Sequence, residues 1–242
     1  TLGSQSVGFV PTMGALHEGH LSLLKKCREQ NDQTVLSIFV NPTQFNQSQD
    51  LDKYPRTWEN DLKLAAAAGA QVIFFPNYED IYPDGYTLSV NEIDFSTILC
   101  GASRAGHFQG VLTVVLKLIN LVNPDHVYMG EKDYQQLHLI KKMVSAFFIP
   151  TEIIGCPTMR DEQGLALSSR NSRLSARDKE RASLIFKTIT SAKTAQNAQA
   201  ELEKSGFKID YLVDIDNRRF VAAFLPSEAG DGNVRLIDNV PL

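Results

Sequence analysis

Short apolar runs alternate with longer segments of helical periodicity over the first two thirds of the chain. The runs are rich in β-branched and aromatic residues and stop at Pro, Gly or Asn, as strands commonly do. This pattern predicts five strands, at residues 7–11, 35–40, 72–76, 127–130 and 152–155. Between them, apolar residues recur every three or four positions, which predicts helices at residues 20–30, 58–68, 110–122 and 133–148.

The last of these helices shows the apolar stripe most clearly, at Leu137, Ile140, Val144 and Phe147. Repeated strand–helix–strand units favour an α/β fold, with a doubly wound parallel (Rossmann-like) sheet and helices on both of its faces. The predicted strands are apolar along their whole length, as expected for a sheet that is covered on both sides.

The composition changes near residues 156–157, and the pattern beyond them is different. A polar turn at 160–164 leads into the segment LALSSRN, and a helix opens at Ser175, with Asp178 three residues later as a variant of the capping box. The polar stretch 191–205 has the weakest pattern of apolar positions in the chain, and it predicts a short, mobile helix.

Three strand-like segments follow, and they indicate a small antiparallel sheet. They lie at residues 208–215, 220–225 and 234–237. We therefore expect two domains, one at residues 1–157 and a smaller C-terminal α+β domain at residues 158–242.

The composition of the 242-residue chain is that of a folded protein, since 43% of its residues are hydrophobic and 21% are charged. Its 24 basic and 28 acidic side chains leave a net charge of −4. A protein that binds a nucleic-acid backbone is usually basic, so we expect no nucleic-acid partner.

The cysteines and the short apolar runs indicate a cytoplasmic protein. Cys27, Cys100 and Cys156 include no C-x-x-C pair and predict reduced thiols. The most apolar run, 111–122, contains Lys117 and is too short to span a bilayer, so we expect no membrane association. We recognise no signal peptide, and we expect that an N-terminal stretch is missing because a strand-like segment begins soon after the first residue.

The segment richest in candidate chemistry is PTMGALHEGH at residues 11–20, between the first strand and the first helix. Such a loop commonly binds phosphate, because its backbone N–H groups are free and the helix dipole adds positive charge. Gly14 and Gly19 let the backbone approach a ligand closely, and His17 and His20 can donate hydrogen bonds to phosphate oxygens. The alternative is a helix cap with two solvated histidines, while a zinc site is disfavoured because no third ligand is evident nearby.

Two further segments carry polar side chains where predicted elements begin or end. GEKD at residues 130–133 follows the fourth strand, where Lys132 offers a point charge to polyphosphate and Asp133 can accept from a ribose or hold a cation. The alternative is an ordinary charged turn. Gln44 lies just beyond a strand end and Gln136 one turn into a helix, so both can face a cleft and bind a small hydroxy acid. The alternative is that both are ordinary surface glutamines.

The H-x-G-H motif after a first strand is similar to the phosphate-binding signature of the nucleotidyltransferase superfamily. The longer string PTMGALHEGH, together with FVNPTQF at 39–45, GEKDYQQL at 130–137 and LSSRN at 167–171, resembles the pantoate–β-alanine ligase family. The resemblance extends over nearly the whole chain. Two departures are visible: the family's usual first helix before VGFVP is absent, and the polar region around 191–205 is shorter than usual.

The resemblance implies an AMP-forming ligase that condenses pantoate with β-alanine to pantothenate through a pantoyl adenylate. It implies ATP as co-substrate and Mg²⁺ as cofactor, and a cytoplasmic homodimer whose small-molecule partners are pantoate, β-alanine and ATP. Under this interpretation residues 1–157 bind ATP and pantoate, and residues 158–242 form a lid.

The resemblance also assigns roles to individual residues. The catalytic set is His17, His20, Lys132, Ser168, Ser169 and Arg170. The ATP-binding set adds Met13, Gly14, Ala15, Leu16, Glu18, Gly19, Gly130, Glu131, Asp133, Met159 and Leu167.

The substrate-binding positions under the resemblance are fewer. Gln44 and Gln136 match the pantoate-binding glutamines, and Asn41 assists them. Arg104 and His107 either lie near the site of the second substrate or are incidental polar groups in a glycine-rich loop. Asp61 either helps to hold magnesium or lies on a solvated helix face.

Two other functions stay open at this point. The first is an adenylyltransferase of the same superfamily that forms a dinucleotide, which would need cationic groups in place of Gln44 and Gln136. The second is a nucleotide-sensing or RNA-binding descendant of a synthetase core, which the acidic balance and the intact motifs disfavour.

Overall fold

The computed structural model describes residues 5–46, 48–226 and 233–242. The chain divides into two compact units. One contains the chain up to Glu131 together with Gln135–Pro157, and the other contains Lys132–Tyr134 and Thr158–Leu242. Each unit has its own sheet and its own hydrophobic core.

The elements up to residue 157 alternate between strands and helices. In chain order they are β1 (Val7–Thr12), α1 (Glu18–Gln30), β2 (Gln33–Ile38), α2 (Ser48–Asp52), α3 (Trp58–Ala67), β3 (Val72–Phe74), α4 (Tyr78–Ile81), α5 (Cys100–Ser103), α6 (His107–Val122), β4 (His126–Gly130), α7 (Tyr134–Ala146) and β5 (Glu152–Cys156). Short 3-10 turns lie at Pro42–Gln44, Phe95–Thr97 and Glu131–Asp133.

The five strands form one parallel sheet in the order β3-β2-β1-β4-β5. This is a doubly wound order, in which the direction of winding reverses between the neighbouring strands β1 and β4. Open α/β sheets bind ligands outside the carboxyl ends of their strands at this switch point. The loop after β1 carries the H-x-G-H motif, and the chain leaves β4 through Gly130 and Glu131.

The core of this unit forms where α1 packs on the central strands. Val10, Leu24 and Leu36 are fully buried there. A Cβ atom at Gly8 of β1 would lie 2.4 Å from Cys27 Sγ of α1, so the absence of a side chain at Gly8 permits the close packing of this helix on the strand.

The second unit combines three helices with an antiparallel sheet. Its elements after residue 157 are a 3-10 turn (Ser169–Arg173), α8 (Ala176–Ala182), α9 (Leu184–Ser191), α10 (Ala195–Lys204), β6 (Lys208–Ile215), β7 (Arg218–Pro226) and β8 (Asn233–Pro241). The strand order is β6-β7-β8.

A buried arginine ties α9 to this sheet. Arg219 is 1% exposed and donates to both carboxylate oxygens of Asp214, at 2.8 and 3.0 Å, and to the carbonyls of Ile189 and Ala192 at the end of α9. The hydrogen bonds and charge of the guanidinium lower the pKa of Asp214. The buried charge of this arginine is therefore paired and hydrogen-bonded, as its stability in the interior requires.

The predicted fold class is confirmed, and several of the predicted elements differ from the observed ones at their ends. α1 begins at Glu18, two residues earlier than expected, because His17 is its N-cap. α6 begins at His107 instead of residue 110. α7 ends at Ala146, so the predicted stripe is wrong at Phe147, which is 56% exposed.

Some structure has no clear sequence signal. The short helices α2, α4 and α5 and the helix α9 have no counterpart in the predicted pattern, and β8 is longer than the expected strand at 234–237. The polar stretch after Ser191 contains the predicted helix, and α10 is an integral part of the core because its Ala198 and Leu202 are fully buried.

The three cysteines are free thiols, as predicted, and all are buried. Burial raises the pKa of Cys27 to about 11. Within the described ranges, no helix is long and apolar enough to cross a membrane.

Candidate active site

The two histidines of the H-x-G-H motif close the first turn of α1. His17 is the N-cap, and its Nδ1 atom accepts from the Gly19 N–H at 3.1 Å. His20 Nδ1 accepts in return from the His17 N–H at 3.3 Å, and the two ring centroids are 4.1 Å apart. A neutral imidazole that accepts at Nδ1 carries its proton on Nε2. The motif is therefore a helix cap, and the same geometry makes both rings Nε2–H donors.

Asp61 of α3 holds the loop that precedes these histidines. Its carboxylate is 1% exposed and accepts from the Ala15 N–H at 2.9 Å and the Leu16 N–H at 2.8 Å. Thr57 Oγ1 also donates to it, at 3.1 Å. Gly14 and Ala15 both have positive φ angles, 79° and 50°, which turn consecutive N–H groups towards the carboxylate.

The expectation that the loop offers free backbone N–H groups is wrong for most of its residues. The N–H of Gly14 donates to Thr12 Oγ1, and those of Ala15, Leu16, His17 and Gly19 have the partners given above. We therefore expect the histidine side chains, more than the backbone, to make the predicted contacts with phosphate.

The geometry of Asp61 does not fit a magnesium ligand. Three donors already occupy its two oxygens, and the side chain is buried, so the alternative of a solvated helix face is also wrong. Among the described residues, no three His, Cys, Asp or Glu side chains lie close enough together to hold a metal ion.

A cluster of amides follows β2. Asn41 is 1% exposed, and its Nδ2 group donates to Gln44 Oε1 at 3.0 Å and to the Gly110 carbonyl at 3.3 Å. Gln44 is also buried, and its Nε2 group lies 3.1 Å from the thioether sulfur of Met13. The predicted pantoate residues Asn41 and Gln44 are thus in contact with each other and with the loop that carries the histidines.

Arg104 and His107 lie against the backbone of this cluster. His107 Nδ1 donates to the Gln44 carbonyl at 2.9 Å, so Nε2 is the acceptor nitrogen and lies 3.0 Å from an Arg104 N–H group. Arg104 also reaches the Gln44 carbonyl, at 3.5 Å. The two residues therefore contact the amide cluster, and a role for them near the site of the second substrate stays a prediction.

The close approach of α6 to the cluster depends on a glycine. A Cβ atom at Gly110 would lie 2.5 Å from the Thr43 carbonyl oxygen and 2.7 Å from the Gln44 nitrogen. Only glycine therefore allows the helix to bring His107 and the Gly110 carbonyl to Asn41 and Gln44.

The two neighbouring glutamines of α7 have different surroundings. Gln135 is buried, accepts from the Cys100 N–H at 3.1 Å and donates to the Phe95 and Ile98 carbonyls at 2.7 and 2.8 Å. These bonds fix the segment between Phe95 and Cys100. Gln136 is half-buried. The structural role of Gln135 leaves Gln136 as the substrate-binding candidate of the pair.

Lys132 belongs to the second unit, where β8 fixes its backbone. Asn239 of β8 donates from Nδ2 to the Lys132 carbonyl at 3.0 Å, and Arg218 donates to the Asn239 side-chain oxygen. The Arg218 guanidinium lies 3.9 Å from the ring centroid of Tyr134. The Lys132 ammonium is 3.8 Å from the carboxylate of Asp133.

The segment from Met159 to Arg170 is built as a hairpin followed by a capped turn. The Leu167 N–H donates to the Met159 carbonyl at 2.9 Å, and Met159 itself is 42% exposed. Ser168 is the N-cap of the 3-10 turn Ser169–Arg173, and its hydroxyl accepts from the Arg170 N–H at 3.3 Å. The turn thereby fixes the backbone of the predicted Ser168, Ser169 and Arg170 set.

Arg160 fastens this hairpin to β8. It donates to both oxygens of Asp238, at 2.6 and 2.8 Å, and to the Gly164 carbonyl at 3.1 Å. Its guanidinium also lies 3.6 Å from the ring centroid of Phe186. A bidentate, stacked arginine fixes orientation as well as charge.

Sequence reasoning misses the residues that position the site. It gives Asp61 another role and does not single out Tyr82, Gln135, Arg160 or Asn239. Each of these four residues has a partner 35 to 107 residues away along the chain: Asn41 for Tyr82, Cys100 for Gln135, Asp238 for Arg160 and Lys132 for Asn239. The sequence around them carries no signal that would have found them.

Proteins of known family are similar to this chain over almost its whole length. The family model for pantoate-beta-alanine ligase matches residues 2–241. The pantothenate synthetase of Bdellovibrio bacteriovorus is 56% identical over 239 residues, which are 99% of this chain and 93% of that protein.

Two solved structures are also similar. The pantoate-beta-alanine ligase from Francisella tularensis, complexed with beta-gamma ATP and beta-alanine, matches with a TM-score of 0.91 and 45% identity, over 100% of this chain and 91% of that chain. The pantothenate synthetase from Thermus thermophilus matches with a TM-score of 0.87 and 38% identity, over 98% of this chain and 93% of that chain. On these matches, this chain belongs to the pantoate-beta-alanine ligase family.

Proposed function

We propose that this protein condenses pantoate with β-alanine in an ATP-dependent, AMP-forming reaction that passes through a pantoyl adenylate. The observation that carries the proposal is the 3.1 Å contact between Gln44 Nε2 and Met13 Sδ. It joins the amide cluster to the histidine loop within one unit, so that an acid on the amides and a nucleotide on the loop are neighbours. Adenylate formation needs this proximity.

In the first half-reaction, a pantoate carboxylate oxygen attacks the α-phosphorus of ATP. A new P–O bond forms as the bond to pyrophosphate breaks, and the leaving group takes the electron pair. His17 and His20 donate from Nε2–H to the phosphate oxygens as this charge develops. Donors fixed in advance, here by the capping bonds, stabilise a transition state without having to reorganise.

Asn41, Gln44 and Gln136 hold pantoate. Uncharged amides both donate and accept, which suits a small acid with hydroxyl groups. Their neutrality leaves the carboxylate nucleophilic, whereas a close cation would stabilise it in the ground state. No side chain of the protein has to become covalently attached.

In this proposal Lys132 and Arg170 neutralise the charge of the leaving pyrophosphate, and Ser168 and Ser169 donate hydrogen bonds to its oxygens. Lysine supplies a point charge and arginine a planar fork that matches phosphate oxygens. The remaining ATP-binding assignments, including the exposed Met159 side chain as a surface for adenine, follow the family pattern.

In the second half-reaction, the amine of β-alanine attacks the acyl carbon of the adenylate. The new C–N bond replaces the bond to AMP, which leaves with its electron pair, and the amine loses a proton. We assign the β-alanine carboxylate to Arg104. His107 supports this role because its neutral ring accepts from Arg104 and leaves the positive charge on the guanidinium.

Magnesium enters this proposal as a companion of the ATP phosphates, the usual way in which enzymes hold this ion with few carboxylates of their own. No step is assigned to it. A homodimer, a cytoplasmic location and a lid at residues 158–242 remain predictions of the family resemblance.

Membership in a ligase family removes the reason to prefer a dinucleotide-forming adenylyltransferase or an RNA-binding protein. The experiment that tests the proposal is an AMP-formation assay with ATP, pantoate and β-alanine, scored against omission of each. We expect AMP release to need all three and to match pantothenate formation mole for mole. Equal AMP release without pantoate or without β-alanine would refute the proposed reaction.

A further inference from the structure

Tyr82 lies directly beneath the amide cluster and is 2% exposed. Its hydroxyl donates to Asn41 Oδ1 at 2.9 Å and lies 3.2 Å from Thr43 Oγ1. Burial raises the pKa of Tyr82 to about 12, so the hydroxyl keeps its proton and stays a donor through the neutral and mildly alkaline range.

The ring of Tyr82 is held independently of its hydroxyl. The rings of Tyr78 and Tyr86 lie at centroid distances of 4.9 and 5.2 Å. The ammonium of Lys117 is 5.1 Å from the ring centroid and is itself paired with Asp84 at 2.8 Å. Removing only the hydroxyl therefore leaves the ring in place.

The Tyr82 hydroxyl makes the shortest of the hydrogen bonds that set which way the Asn41 amide faces. Asn41 Oδ1 accepts from the Tyr82 hydroxyl at 2.9 Å, from the Thr43 hydroxyl at 3.0 Å and from the Thr43 N–H at 3.4 Å. Its Nδ2 group therefore faces Gln44 Oε1 and the Gly110 carbonyl. The bond to Gln44 in turn directs the Gln44 Nε2 group towards the histidine loop, where its partner among the described residues is the Met13 thioether. Sulfur is a weak acceptor, and a carboxylate or hydroxyl oxygen of a substrate is a better one.

We propose that Tyr82 is a positioning residue for the acid substrate: its hydroxyl orients the Asn41 amide and, through it, the Gln44 N–H groups that bind pantoate. The inference rests on the proposed function of Gln44 in the first half-reaction. It adds to that function a relay of hydrogen bonds with one direction, from tyrosine to asparagine to glutamine to substrate.

The test is Tyr82→Phe, with Tyr86→Phe as the matched control because it removes a hydroxyl from the ring packed edge-on against Tyr82. We expect Tyr82→Phe to raise the KM for pantoate roughly threefold to tenfold, as for the loss of one hydrogen bond. The KM for ATP and the kcat at saturating pantoate should stay at their wild-type values. Tyr86→Phe should leave all three values at those of the wild type.

A double-mutant cycle with Asn41→Ala separates positioning from general stability. If Tyr82 acts through Asn41, adding Tyr82→Phe to Asn41→Ala should not raise the KM for pantoate further. An unchanged KM in Tyr82→Phe, an equal rise in the KM for ATP, or an effect that persists in the Asn41→Ala background would overturn the relay. If the wild type needs pantoate for adenylation and the KM for pantoate of Tyr82→Phe equals that of the wild type, only this inference fails. If the wild type does not need pantoate, the proposed function fails with it.

Discussion

The two histidines of the H-x-G-H motif use their two ring nitrogens for different purposes. Nδ1 of each ring accepts a backbone N–H at the start of α1, and this bond fixes the ring and the tautomer. Nε2–H is then a donor with a set direction. A helix cap and a phosphate-binding pair are alternatives for the sequence; the structure shows the cap, and phosphate binding by the Nε2–H groups stays a prediction.

For these single residues we predict that His20→Ala nearly abolishes adenylation in a protein that still folds. Losing one positioned donor in such reactions costs about 3–4 kcal/mol of barrier, or roughly 10²- to 10³-fold in rate. The lost cap bond should lower stability by about 1 kcal/mol. Pyrophosphate release at saturating ATP and pantoate, together with thermal melting, measures both effects.

Ser22→Ala is the matched control, since Ser22 Oγ donates to the Gly19 carbonyl in the same turn of α1. It should melt at a slightly lower temperature and keep its adenylation rate. Near-normal turnover of a folded His20→Ala protein would show that the motif is only a helix cap.

Among the elements, α3 and the loop before α1 are joined by the hydrogen bonds of Asp61. Asp61 reaches 46 residues back along the chain to bind two consecutive N–H groups of that loop. We predict that Asp61→Asn loosens it, because an amide has one accepting oxygen and its NH₂ group opposes the second N–H. The KM for ATP should rise about tenfold to hundredfold, as for the loss of a hydrogen bond to a charged acceptor, and the melting temperature should fall.

Steady-state kinetics at several Mg²⁺ concentrations check this prediction. Glu59→Gln is the control, because Glu59 is an exposed carboxylate on the same helix. It should behave as the wild type. Recovery of Asp61→Asn by excess Mg²⁺ would contradict the positioning role and restore the metal-ligand hypothesis.

The elements themselves are largely predictable, and the contacts between them are not. β-branched runs indicate strands such as β1 and β2 because a parallel sheet buried on both faces needs such residues. The short helices α4 and α5 have too few residues to show a period. Asp61 has two interpretations on sequence grounds, and neither fits its surroundings, because the partners of a buried carboxylate are set by tertiary structure.

The roles of the two neighbouring glutamines of α7 are also set by tertiary contacts that the sequence does not show. Gln135 and Gln136 are neighbours of one type on one helix. Only the contacts of Gln135 with the segment between Phe95 and Cys100 distinguish this structural residue from Gln136, the predicted substrate-binding residue. The family resemblance favours Gln136, whereas local sequence alone does not distinguish the two.

Across the whole molecule, the candidate residues are divided between two units, each with its own core. The histidine loop and the amide cluster belong to the first. Lys132, Ser168, Ser169 and Arg170 belong to the second, where Asn239 and Arg160 fix the segments that carry them. In the reaction proposed for this molecule, an acid held by neutral amides reacts with ATP before the amine takes part.

Isotope exchange between ATP and labelled pyrophosphate probes this order of events, because only a reversible adenylation step returns label to ATP. We expect exchange to appear with pantoate alone, to need no β-alanine, and to disappear when pantoate is left out. Exchange that proceeds equally without pantoate, or that appears only when β-alanine is added, would mean that the acid is not activated in a separate first step.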